Sequence, residues 1–412
     1  MKNITIVGGG LSGWLTALYV KKIQFSQEVV VIESSEIGIL GAGEGSVPYL
    51  KRMLIDLLEI DESIFIEKTK STKKAAINFE NWSGNGTKFD HDFIGNNRKY
   101  NSDGTPDYSK SYAYHFDARL IADFLKSIAI ERGVKVIEGE VVDFNLDTDK
   151  NITSIVLKDN TVVDTNFVFD CSGFKRLIIG ALYNSSWTSY EDQLKVNTAV
   201  PFFLARTDNE EFVKTDAIAM GYGWMWKIPL QDRWGCGYVF DNNYITEAEA
   251  KEEVKSYLGI DVSFNNTLRF NSGCFQETWV NNCVAIGLSS GFMEPLEATS
   301  IMISILQLFA FHEEVLKVGI DRYSEVRDTY NEFIRSLNQE CMLFVRHHYV
   351  CDKEDTDFWI DYKNLPLPEK LEKYKRNNFD DITMLHYSDK NIKLFNNWSY
   401  KLVNNGNFLY SI

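Results

Sequence analysis

Ile4-Thr5-Ile6-Val7-Gly8-Gly9-Gly10-Leu11-Ser12-Gly13-Trp14 stands at the start of the chain, and Val29-Val30-Val31-Ile32 ends in Glu33, 20 residues beyond Gly13. A short β-branched run such as 4–7 suits a strand buried on both faces of a parallel sheet. Apolar spacing over 14–22 predicts a helix, and 29–32 predicts a second strand. Gly8 permits the tight turn, Gly10 lets backbone approach a pyrophosphate, and Gly13 lets the helix pack on the strand. The helix start at Leu11 and Ser12 offers N–H donors to a diphosphate, while Glu33 accepts from ribose hydroxyls. A bare GxGxxG is also an ordinary tight turn. Strand, glycines, helix, strand and acid in this order predict a dinucleotide site.

Working outward, Gly41-Ala42-Gly43-Glu44-Gly45-Ser46-Val47-Pro48 places three glycines in five residues before a predicted helix at 49–58. Such a stretch is either a flexible loop or a close approach to a flat ring or phosphate. Further along, 118–132 has helical periodicity, and 134–137 and 141–144 read as strands. Asp159-Asn160 turns a predicted hairpin between 153–157 and 161–163. Phe167-Val168-Phe169-Asp170 is a buried strand, as is Val284-Ala285-Ile286-Gly287-Leu288, which precedes a long apolar helix from about Thr299. Strands so far apart must assemble one sheet interrupted by insertions. The expected class is α/β: an FAD-binding, Rossmann-like (glutathione-reductase-type) fold with an inserted mixed β-sheet substrate region and a helical C-terminal part. Residues 1–60, 116–184 and 281–312 would form the nucleotide domain, 61–115 and 185–280 the insertion, and 313–412 the helical region.

Composition narrows the class. With 412 residues, 44% apolar and 25% charged, the chain excludes disorder and collagen and has the length of two or three domains. A formal charge of −15 argues against a nucleic-acid backbone and a polybasic membrane anchor as partners. The longest apolar run, near 301–311, falls short of the roughly 18–20 residues of a spanning helix. No signal peptide is expected ahead of the first strand. Cys171, Cys236, Cys274, Cys283, Cys341 and Cys351 form no CxxC pair and read as reduced thiols in a cytoplasmic protein. The six histidines form no HxxxH or HExxH set, so no metal is expected.

Several segments together resemble the flavin-dependent halogenases, in particular the tryptophan-halogenase group. Gly223-Trp224-Met225-Trp226-Lys227-Ile228-Pro229 matches that family's GWxWxIP signature. Gly287-Leu288-Ser289-Ser290-Gly291-Phe292-Met293-Glu294-Pro295-Leu296-Glu297-Ala298-Thr299 is close to its GLSSGFVEPLEST stretch. Gly43-Glu44-Gly45-Ser46-Val47-Pro48 resembles GEATVP, and Lys74-Ala75-Ala76-Ile77 resembles the segment that carries the active-site lysine. Tyr114-His115-Phe116-Asp117-Ala118 and Asp355-Thr356-Asp357-Phe358-Trp359 match lesser landmarks, so the likeness runs from residue 1 to about 360.

The resemblance implies a reaction in which reduced FAD and dioxygen convert a halide ion to hypohalous acid, which then meets an electron-rich aromatic in a separate pocket. It puts the flavin against Gly43, Glu44, Val141, Leu288 and Ile301. The halide falls on the amides of Thr299 and Ser300, where a helix start binds anions; either residue is also a natural N-cap. It selects Lys74 over its neighbour Lys73 as the catalytic amine. A charged amine donates to hypohalous acid and a neutral one forms a haloamine; burial favours the second and a nearby Glu297 the first. It selects Glu297 over Glu294 as the carboxylate that favours the cationic ring and takes its proton. Ala298 and Ser300 replace the family's serine and glycine. Trp224 and Trp226, two apart on a strand, share one face, and the resemblance places them at the tunnel, although such a pair is also ordinary core packing. His91 and Phe93 match a substrate-pocket pair. With no second phosphate loop, FADH2 is expected to diffuse in from a separate flavin reductase, and a homo-oligomer is allowed. The family's clamp for tryptophan finds no match in 363–412, so a wider pocket with a range beyond free tryptophan is expected, bromide and iodide allowed beside chloride. The competing readings are an FAD-dependent aromatic monooxygenase that hydroxylates directly and a catalytically silent flavin-binding protein.

Overall fold

The computed structural model describes residues 2–23, 26–36, 44–95, 99–104, 106–206, 212–387, 390–392 and 394–408. Gly43 lies outside them. The opening segment forms β1 (Lys2–Val7), α1 (Leu11–Lys22) and β2 (Ser26–Glu33). β1 sits inside a six-stranded sheet, flanked by Phe167–Asp170 and β2, both parallel to it. Cys283–Ala285 and Lys135–Glu138 extend the parallel set, and Trp279–Val280 adds an antiparallel edge. Ile4, Ile6, Val29 and Val31 are buried in one core, Val7, Val30 and Ile32 in another on the opposite face. Each such side chain contributes roughly 1.5–3 kcal/mol on burial, which is why these strands read as β-branched runs, Thr5 included. Every residue of α1 from Gly13 to Val20 is buried, because helices cover its outer side too.

The segment expected to join this sheet through 141–163 does not. Val141–Leu146, Ile152–Leu157 and Val162–Asp164 form a separate three-stranded antiparallel sheet. Val141–Leu146 buries none of its side chains fully and shifts register twice against its neighbour, so it lies as a half-exposed ribbon.

A nine-stranded mixed sheet forms the second layer. Its path runs Leu268–Arg269, Thr198–Ala205, Arg233–Phe240, Gly223–Pro229, Phe212–Met220, Thr72–Glu80, Ala113–Phe116 and Glu44–Gly45, with Lys88–Asp92 also paired to Thr72–Glu80. We label Thr72–Glu80 β3, Lys88–Asp92 β4 and Gly223–Pro229 β5. Among the described strands of this sheet only β3 and Phe212–Met220 are parallel. Asp117 turns the chain back towards the first sheet: its carboxylate caps Ala118–Glu131 through the Arg119 and Leu120 amides and pairs with Arg233. The later chain supplies α2 (Thr299–Val318), α3 (Arg327–His348) and α4 (Asn397–Phe408), with shorter helices at Asp357–Asn364 and Glu369–Arg376. A hairpin, Leu385–Tyr387 with Lys390–Ile392, interrupts these helices. Among the described residues no helix is long and apolar enough to cross a membrane.

Candidate active site

A cavity of about 770 Å³ runs from the glycine turn to the second sheet. The turn at one end of it holds three glycines that differ in what surrounds them. At Gly8, φ is +120° and a Cβ would lie 2.2 Å from the Cys171 carbonyl; at Gly13 it would lie 1.9 Å from Gly8 O. At Gly10 nothing stands within 4 Å, and Gly10 lines the cavity. The turn is therefore closed against the protein and open towards the cavity, which fits a diphosphate held on backbone amides. Leu11, Ser12, Glu33, Glu44, Val141, Leu288 and Ile301 line the same space. Glu33 is paired with Lys126. Burial, with Asp117 nearby, pushes the Glu44 carboxyl up to about 7. Gly10→Ala is expected to keep the wild-type melting temperature and to weaken flavin binding about tenfold or more, whereas Gly13→Ala loses both. Thermal melts and flavin fluorescence titration check this.

At the far end, Lys74 on β3 is 1% exposed and lines the cavity. Its Nζ donates to the Ser46 carbonyl at 3.1 Å and lies 5.5 Å from the centre of the Phe93 ring. A Cβ at Gly45 would come within 3.2 Å of Nζ, so that glycine makes room for the amine. Lys73, one residue back, sits over the Tyr112 and Phe212 rings, as the alternation of a strand requires. Burial pushes the Lys74 amine down to about 8, against the opposing pull of Glu297. The ammonium thus predominates at neutral pH, a point on which the sequence was silent.

Glu297 and Ala298 enter α2 through two successive left-handed residues, φ +63° and +54°. Non-glycine residues hold this conformation at a cost of about 1 kcal/mol or more each. The turn corrects the expected cap: Ala298 is the N-cap, no side chain caps the helix, and buried Thr299 Oγ1 has no hydrogen-bond partner. The left-handed pair carries the chain into the helix at Thr299, so Thr299 and Ser300 are already helical. Their N–H groups are among those that no carbonyl of the helix can reach, and Ser300 lines the cavity. The Glu297 side chain is 3% exposed at residue level and lines the cavity too. Its Oε1 meets both His91 Nδ1 at 2.7 Å and His348 Nε2 at 2.9 Å. Burial alone would raise this carboxyl, but the imidazoles outweigh burial and hold it well below the usual carboxylate range.

Glu294, the competing acid, has another task. Its Oε1 accepts from Trp224 Nε1 at 2.9 Å and from the Tyr349 hydroxyl at 2.6 Å. Burial pushes it up to about 7, with those two donors pulling the other way. Trp224 and Trp226 both line the cavity from β5, their ring centres 6.2 Å apart. Gly237 leaves the space that the Trp226 ring fills, since a Cβ there would lie 2.2 Å from it. His91 and Phe93 stand behind Lys74 and Glu297 rather than on the cavity wall. Trp398 of α4 lies 6.1 Å from the His91 ring, and Ser399 Oγ is 3.1 Å from His91 Nε2. Motif reading missed Trp398, Ser399 and His348; the adjacent His347-His348 pair at the end of an amphipathic helix was the one available signal.

The family model described as tryptophan halogenase matches residues 3–105 and 96–410. The chain belongs to the tryptophan halogenase family. It is accordingly an enzyme, a flavin-dependent halogenase. It is 30% identical to tryptophan 7-halogenase RebH of Lentzea aerocolonigenes, over 98% of this chain and 88% of that protein. Among solved structures it resembles Tar14, a tryptophan C-6 flavin-dependent chlorinase from taromycin biosynthesis, with a TM-score of 0.86 and 27% identity over 98% and 90% of the two chains. The flavin-dependent halogenase BrvH from Brevundimonas sp. BAL3 superposes with a TM-score of 0.85 at 26% identity, over 98% and 89%. The halogenase fold thus accounts for both sheets and for the helices behind them.

Proposed function

We propose that this halogenase uses FADH2, dioxygen and a halide to make hypohalous acid at the glycine-turn end of the cavity, and halogenates an electron-rich, indole-like small molecule beside Lys74. The observation that carries the reading is the buried Lys74 amine on the same cavity as the open face of Gly10, with Glu297 in its wall. Bound flavin supplies the oxidation of halide by dioxygen. The chain's residues do the rest. The Thr299 and Ser300 amides hold the halide. Trp224 and Trp226 keep the aromatic substrate away from the flavin, and His91 and Phe93 support Glu297 and Lys74 from behind the substrate side. The Lys74 ammonium donates to the oxygen of hypohalous acid and draws electron density from the halogen. The ring's π electrons form the carbon–halogen bond as the oxygen takes a proton from the Lys74 ammonium and leaves as water; Glu297 then takes the ring proton, the C–H electron pair restores aromaticity, and the Lys74 amine regains a proton from water.

Residues 1–60, 116–184 and 281–312 form the FAD domain in this proposal, 61–115 and 185–280 the tunnel region, and 313–412 the C-terminal cover. FADH2 arrives by diffusion from a separate reductase. The six cysteines are free and buried, which supports a reducing, cytoplasmic setting. A substrate range beyond free tryptophan rests on the lack of a match to the family's amino-acid clamp in 363–412. The test is the purified protein with a flavin reductase and chloride, bromide or iodide in turn, read by mass spectrometry on indoles, phenols and anilines. Halogenated product from several of them is expected. Hydroxylated product would make the protein a monooxygenase, absence of product with every halide would leave a silent flavoprotein, and strict tryptophan specificity would refute the wider range.

A further inference from the structure

His348 ends α3 with no exposed surface, enclosed by the Phe79, Phe344 and Trp82 rings at 4.9, 4.8 and 6.2 Å. Its two nitrogens have fixed partners. Nδ1 lies 2.8 Å from the Phe344 carbonyl, and a carbonyl only accepts, so Nδ1 carries a hydrogen. Nε2 lies 2.9 Å from Glu297 Oε1, and a hydrogen must lie between them as well. His91 differs. Its Nδ1 donates to the same oxygen, while its Nε2 faces the Ser399 hydroxyl, a group that can donate or accept, so His91 is not obliged to carry two ring hydrogens. Relative to a carboxylate and two neutral imidazoles, the cluster therefore holds at least one extra proton, and His348 is the ring whose two partners, a carbonyl and a carboxylate, each require a hydrogen.

We propose that His348 is a positioning residue that keeps this extra proton as an imidazolium, pinning Glu297 as a carboxylate through Oε1 and leaving Oε2 to receive the proton of the halogenated ring. This deepens the function proposed above and rests on it. Oε2 takes no hydrogen bond among the described residues, and Glu297 lines the cavity. The other charged or titratable neighbours of Glu297 are Lys74 from β3 and His91 from β4. His347, adjacent on α3, turns away to the Tyr400 carbonyl at 3.0 Å. Among the described residues no three His, Cys, Asp or Glu side chains are arranged to hold a metal ion. After the arenium ion transfers its proton to Oε2, Oε1 still accepts from both imidazoles, and the carboxyl returns that proton to water once product leaves.

Two measurements test this. In the purified chain, nitrogen-15 spectra of the imidazoles at pH 7.5 are expected to show His348 protonated on both nitrogens, with that signal lost in Glu297→Gln. A singly protonated His348 overturns the proposal, whatever the enzyme's activity. In turnover with bromide and ring-deuterated indole, the wild type is expected to show no primary isotope effect, because proton loss follows the slower attack on halogen. His348→Gln keeps an N–H donor at the Nε2 position without the charge. It is expected to turn over about tenfold or more slowly, with a primary isotope effect of about 2 or more. Full rescue by glutamine with no isotope effect would mean that His348 only fills space, and would overturn the proposal. A wild type that halogenates no indole would instead strike the proposed function, and the nitrogen-15 arm would still decide the state of His348.

Discussion

Replacing Lys74 with methionine is expected to lower halogenation turnover by about 10²–10³-fold, the scale of losing one donor aimed at developing charge, and to make the protein more stable. The two effects have one cause. Burial holds the folded-state amine at about 8 against the ordinary 10.5. The unfolded chain therefore binds this proton more tightly, and the folded state bears a cost of ~3 kcal/mol at pH 7. That cost shrinks as pH rises from 8 to 10.5 and vanishes above. Methionine fills similar volume without it, offset by about 1 kcal/mol for the Ser46 carbonyl that loses its donor. A melting temperature about 2 °C above wild type is expected at pH 7, and the difference closes above pH 10. Activity carries the matching signature. If the ammonium is the working form, the wild-type rate falls as pH rises through about 8; a rate that rises through that value would assign the chemistry to the neutral amine.

Glu297→Gln is the complementary case, with activity lost and stability lost together. Removing a general base costs about 10²–10⁴ in turnover. Glutamine keeps the shape but leaves His91 and His348 facing a neutral amide, and breaking one side of a buried ionic cluster costs about 3 kcal/mol. The folded-state carboxyl lies below its ordinary value, so its stabilisation is present above the ordinary carboxyl pKa and fades as acid reaches the folded one. The variant is therefore expected to melt several degrees lower at pH 7, and the gap narrows in strong acid. Melting curves across pH, run beside turnover assays, separate the two residues: a Glu297→Gln protein as stable as wild type would show that the imidazoles do not hold a charged carboxylate.

Local chemistry made much of the site legible. The glycine turn could be read because each glycine answers to its own strand and helix, and the GWxWxIP and GLSSGF segments because their order along the chain matches a family. Lys74 was separated from Lys73 by the family resemblance; alternation alone could not do it, because four successive residues of β3, Lys74 to Ile77, are buried. The ribbon at 141–163 was misplaced because periodicity reports a strand's buried faces and says nothing about which sheet it joins. The expected Thr299 or Ser300 cap failed for a related reason. Two left-handed residues shift where the helix begins, and nothing about Glu297 or Ala298 as residue types announces that conformation.

What the chain by itself determined was the nucleotide turn, the α/β class and the family, since these depend on residues within a few positions of one another. Only the tertiary structure decided that Glu294 anchors Trp224 while Glu297 meets two histidines. Those partners lie 51 to 206 residues away in sequence. Charge state in a buried site depends on what surrounds a group in space, and separation along the chain carries no record of that.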